Sequence, residues 1–164
     1  MSGAAGVIVA VVLVSCRGAE SPRVPDTVHD SGFAGVQRRG EAVMGVNQYT
    51  SRHVFEPLAD GGRIELERSV DDSAGAAQIR RHMQLIAQRF AAGDFRLPGV
   101  VHARDVPGTG VMAERRAVIR YTVESLPRGA AVRVRTDDPV AIEAIHEFLA
   151  FQRQDHHASA RHDS

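Results

Sequence analysis

Twice along this chain a stretch that alternates apolar and polar residues breaks at a Gly-containing turn, resumes, and gives way to a capped amphipathic segment. Alternation at every second position buries one face of a strand, whereas apolar residues three and four apart bury one face of a helix. That succession predicts an antiparallel sheet backed by helices.

The first unit starts at Ser51–Glu56, a strand-like run followed by Pro57-Leu58-Ala59 and the turn Asp60-Gly61-Gly62. Arg63-Ile64-Glu65-Leu66-Glu67 then alternates cleanly and completes a hairpin. Asp72 or Ser73 is placed to cap a helix over 74–92, with Ile79, Met83, Ile86 and Phe90 as its apolar stripe and Gly93 as its stop. The second unit puts Ala117, Ile119, Tyr121 and Val123 on one strand face, turns at Pro127-Arg128-Gly129, and returns through Val132 and Val134. Asp137 or Asp138 then caps a helix with Pro139 at its first position, where the missing N–H costs nothing. Its buried side is Ala141, Ile145, Phe148, Leu149 and Gln152. The expected fold is α+β: a two-layer sandwich in the order ββαββα, with a four-stranded antiparallel sheet and both helices on one face. Pro98 to Ala103 reads as a short strand or extended loop, which would bring the count to five, and Asp105 to Gly110 as a loop. No internal repeat has a fixed length.

Ahead of this domain, Leu13-Val14-Ser15-Cys16 closes an apolar run from Ala4 and holds the chain's one cysteine. The arrangement resembles the lipobox of bacterial lipoproteins, in which cleavage before the cysteine frees it for lipidation. The run is too short to span a bilayer, which takes roughly 20 apolar residues. The expected organisation is a signal segment over 1–16 ending at the lipidated Cys16, a flexible Gly-, Ser- and Pro-rich tether over 17–47, the domain over 48–157, and a disordered tail over 158–164. It places the protein on the bacterial cell envelope, held to a membrane by lipid.

Positive and negative side chains balance at 20 each, and every basic one is an arginine. Without a basic excess there is no electrostatic case for nucleic acid. A single cysteine excludes an internal disulfide and any Cys-based zinc or iron–sulfur site. Histidine is the abundant metal-binding residue, with eight in 164 residues. His82 borders the stripe of the first predicted helix, His53 shares a strand face with Phe55, and His156 continues the stripe of the last helix. With His102 these are the expected ligands of a bound metal, and His146 is the reserve. Imidazoles alone suit Zn²⁺ or Cu²⁺, haem is a weaker match, and Met44, Met83 and Met112 would extend the range to Cu(I). Asp94 is a weaker ligand candidate, since a carboxylate just after a helix stop commonly ties down the turn. Catalytic motifs are missing: there is no G-x-S-x-G elbow and no phosphate loop with its lysine. A His–carboxylate pair such as His53 with Glu56 is what remains for acid–base chemistry.

Met44-Gly45 with Gln48, His53 with Phe55, Gly61-Gly62, Ile79-Arg80 with His82, Gly93-Asp94-Phe95, Pro98 with His102, Pro107-Gly108, Met112, and His146 with Phe148-Leu149, Phe151-Gln152 and His156 together resemble a family of small, uncharacterised bacterial exported proteins. The likeness runs from Met44 to His156. It implies that the five domain histidines belong to one pattern, although Arg52-His53 stands here in place of a pair of histidines. The expected function is an envelope-anchored domain that binds a metal ion or haem through clustered histidines. The alternatives are a protein-interaction module of the envelope, including a homodimer through open sheet edges, and a small His/carboxylate hydrolase or lyase.

Overall fold

In the computed structural model, which describes residues 27–158 apart from residue 46, both alternating stretches form hairpins and both amphipathic segments form helices. The signal segment, Cys16, the first part of the expected tether and all but the first residue of the expected tail lie outside the described residues. The elements are α1 (Thr27–Met44), β1 (Ser51–Leu58), β2 (Gly61–Arg68), α2 (Ser73–Ala91), α3 (Arg96–His102), α4 (Thr109–Glu114), β3 (Arg120–Leu126), β4 (Gly129–Arg135) and α5 (Pro139–Asp155). The four strands lie in the order β1-β2-β4-β3, antiparallel throughout, so the hairpins join through their second strands. This is the α+β architecture read from the sequence, with four strands in the sheet.

Register decides which side chains face inward. Phe55 pairs with Ile64, Ile64 with Val132 and Val132 with Val123, so one row crosses the whole sheet toward the helices. His53 pairs with Leu66 and Leu66 with Ala130, which sets His53 in the next inward row. The other face, bare of helices, carries an ionic lattice that includes Arg52 with Glu67 (3.2 Å) and Arg63 with Glu65 (3.0 Å). Each major helix crosses over to the hairpin it does not follow. Thus α2 packs mainly on β3 and β4, and α5 on β1 and β2. Gly62 lets α5 approach, because a Cβ there would stand 2.3 Å from Leu149 Cδ1. Ile79, Met83, Phe90, Ile145 and Leu149 are buried between the layers. Each such side chain contributes about 1.5–3 kcal/mol through removal from water.

Local chemistry sets the helix ends. Asp72 accepts from the Gly75 N–H, and Asp138 accepts from Val140 and Ala141. Gly93 takes a left-handed φ of 77°, its N–H bonds Phe90 O, and the Asp94 N–H bonds Arg89 O, a Schellman stop for α2. Among the described residues no helix is long and apolar enough to cross a membrane.

Three expectations are corrected. Residues 27–44, read as part of a flexible tether, form α1, with Val36, Gln37 and Met44 buried. Their own pattern is weak, and packing against α3 supplies the support that an isolated helix of this composition lacks. Pro98 to Ala103, read as extended, belongs mostly to α3. Pro98 is the third residue of that helix, where an N–H would have no helical partner to lose. The expected loop at 105–110 likewise runs into α4.

Candidate functional site

Between the sheet, α2 and the end of α5 lies a cavity with about 80 Å³ open to water-sized spheres, roofed by α1 and α3. Most of its wall is apolar. Among the described residues its polar side chains are four histidines and one glutamine: His53 from β1, His82 from α2, His102 from α3, and Gln152 and His156 from α5 and its cap. Each arrives for a separate local reason. His53 alternates inward two residues before Phe55. His82 adjoins Met83 on the buried side of α2. His102 ends α3, whose first turn is tied down by Asp94 accepting from the Arg96 N–H at 3.1 Å. His156 follows the last turn of α5, with its N–H on Gln152 O.

The four imidazoles expected as ligands therefore share one cavity, and the reserve does not. His146 points to the hairpin instead, where Nε2–H donates to Leu58 O (2.9 Å) and Gly61 O (3.0 Å). Those contacts make it a structural clamp on the β1–β2 turn. Met44 and Met83 line the cavity, whereas Met112 is buried outside its wall. Asp94 is taken up by Arg89 and Arg96. His53 and Glu56 lie three residues apart in a strand, on opposite faces, so they do not form an acid–base pair.

The ring centroid of His156 lies 5.0 Å from that of His53 and 5.1 Å from that of His102. Imidazoles that share a metal at about 2.0–2.1 Å place their centroids about 5 Å apart, so the spacing suits a shared ion. The nitrogens do not yet converge: among the described residues no three His, Cys, Asp or Glu side chains surround a common point. Capture of an ion would require the rings to rotate in place. His156 Nδ1 is buried without a hydrogen-bond partner, so no protein contact resists that rotation at this atom.

Burial disfavours charge on these rings. Desolvation holds His82 down to about 4, and desolvation with repulsion from His82 holds His53 at about 4. His156 is held lower still by desolvation, with His53 and His102 adding repulsion. Near pH 7 these three imidazoles are neutral, the form that donates a lone pair.

His102 has a partner on each nitrogen. Nδ1 meets the Asp155 carboxylate, and Nε2 stands 3.0 Å from Gln152 Oε1. A carboxylate only accepts, so Nδ1 carries the proton. Nε2 would then face another acceptor while Gln152 Nε2 has no partner. Turning the amide settles the first, because a Gln152 N–H then donates to His102 Nε2. Arg104 pairs with the far side of Asp155 and lies over the Phe151 ring at 4.6 Å. The His102–Asp155–Arg104 chain escaped sequence reading because its members sit on elements that only folding brings together. Gln152, a polar residue on an apolar stripe, was the visible sign of something polar to meet.

The chain matches no protein-family model, no curated protein and no solved structure.

Proposed function

We propose that this is a binding domain of the bacterial envelope, held by a lipid on Cys16, whose cavity captures a metal ion through His53, His82, His102 and His156. The observation that supports this reading is the arrival of four imidazoles from four separate elements in one largely apolar cavity. An ion suits this volume, whereas a porphyrin would require α1 or α3 to move away. The carboxylate behind His102 has the form of an outer-shell partner, since a ligating histidine commonly donates its other N–H to a carboxylate.

The test is elemental analysis of the full chain, prepared without affinity tag or chelator, then titration with Zn²⁺, Co²⁺ and Cu(I). Near-stoichiometric binding is expected, lost in His82→Ala and His156→Ala and retained in His146→Ala. Asp155→Asn should weaken binding about 10–100-fold, the usual effect of losing an outer-shell carboxylate. A folded protein that takes up none of the three ions overturns the proposal.

The His102–Asp155 pair also favours a second reading, proton abstraction from a small substrate by His102 Nε2. Among the described residues no Ser, Thr or Cys lines the cavity, so a hydrolase built on a side-chain nucleophile has no candidate among them.

A further inference from the structure

Building on that reading, we infer that the ion this cavity selects is Cu(I), held by imidazoles together with the thioethers of Met44 and Met83. The donor set points to charge and softness at once. The polar wall contains imidazoles and an amide, and among the described residues no carboxylate, thiolate or tyrosine belongs to it. The nearest acid described at the site, Asp155, stands behind His102 and already pairs with Arg104. An ion here keeps its full charge in an apolar surround. The cost of burying an ion grows with the square of its charge, so a divalent cation meets about four times the penalty of a monovalent one. Zn²⁺ and Cu²⁺ would also favour a carboxylate or water, whereas Cu(I) accepts neutral nitrogen and soft sulfur.

Two of the four methionines lie on this wall: Met83 on α2, next to His82, and Met44 as the last residue of α1. Met44 comes from the roof, so its sulfur would couple ion capture to α1. The described contacts of α1 with the rest include the buried Val36, Gln37 and Met44, Arg39 Nε–H donating to Val101 O at 2.7 Å, and Phe33 stacked on His157 at 4.3 Å. Coordination by Met44 would add a tie at the C-terminal end of α1.

The experiment uses the full chain under anaerobic conditions, with Cu(I) supplied against a chromophoric Cu(I) chelator and Zn²⁺ as competitor. The variants are Met44→Leu, Met83→Leu and the double change, all close in volume to the native residue, with melting curves to verify the fold. Cu(I) is expected to bind about 100-fold more tightly than Zn²⁺, with both nitrogen and sulfur neighbours at the copper absorption edge. The double variant should lose the sulfur shell and about tenfold or more in Cu(I) affinity, with Zn²⁺ binding unchanged. A nitrogen-only shell, indifference to both leucines, or tighter Zn²⁺ than Cu(I) would overturn this inference and leave imidazole binding standing. Failure to bind either ion would remove both.

Discussion

His146 and His156 lie ten positions apart at two levels of the α5 region and have opposite relations to the protein around them. His146 gives its Nε2–H to two carbonyls that flank the β1–β2 turn. His156 leaves Nδ1 buried and unpartnered, and the rings around it are His53, Phe55 and His102. One imidazole completes the backbone hydrogen bonding of the fold, and the other adds an unsatisfied group to its interior. A buried polar atom without a partner is a standing cost, commonly about 1–3 kcal/mol. Histidine at 146 needs no explanation beyond the hairpin, whereas histidine at 156 makes sense if something outside the chain meets it.

The largest expected consequence is in acid. Burial lowers His82 to about 4, so the unfolded chain takes up a proton near pH 6.5 that the folded chain refuses until about 4. Stability is therefore full above the unfolded value and falls as pH drops through the window from 6.5 to 4. His82 alone accounts for about 3 kcal/mol across that window. His53 and His156 are lowered for the same first reason and act in the same direction. Urea midpoints measured from pH 7.5 to 4.5 on the metal-free protein should fall steeply below pH 6. His82→Phe should flatten that fall. A midpoint that does not move with pH would remove the contrast between the two classes of histidine.

Next in size is the clamp itself. His146→Leu removes the donor to Leu58 O and Gly61 O, and should destabilise the domain by about 1–2 kcal/mol without touching ion binding. Thermal melts with a parallel metal titration check both halves. Loss of binding in this variant would mean that the hairpin turn and the cavity are coupled.

Much of this was legible in the sequence, for identifiable reasons. The hairpins and the two long helices follow from periods of two and of three to four, and Asp72, Asp138 and Gly93 mark helix ends by chemistry that acts within a few residues. The inward placement of His53 and His82 came from the same periods. What stayed hidden depends on contacts between distant segments. The α1 helix has little pattern of its own and is held by Val36, Met44 and the Arg39–Val101 bond, none of which is local. The α3 helix was masked by a proline and two valines that favour extended chain, although Pro98 sits where a helix tolerates it. Asp155 and Arg104 belong to no sequence pattern that ties them to His102, and only the fold brings the three together. The separation of His146 from the other four follows from α5 crossing over the first hairpin, a feature of topology rather than of pattern.

The smallest effect is the sharpest discriminator, because it concerns a sign. Replacing His156 with Leu keeps an apolar contact for Phe55 and deletes the unpartnered Nδ1. A group whose hydrogen bonding is unmet in the folded state is better satisfied in the unfolded chain, where water reaches it. Its removal should leave the metal-free domain as stable as before or about 0–1 kcal/mol more stable, the reverse of His146→Leu. The same change should abolish ion retention. Equilibrium unfolding at pH 7.5, where the ring is neutral in both states, isolates this effect from the proton linkage described above. If His156→Leu weakens the metal-free fold as much as His146→Leu does, then His156 already serves the protein, and the cavity has no imidazole held in reserve.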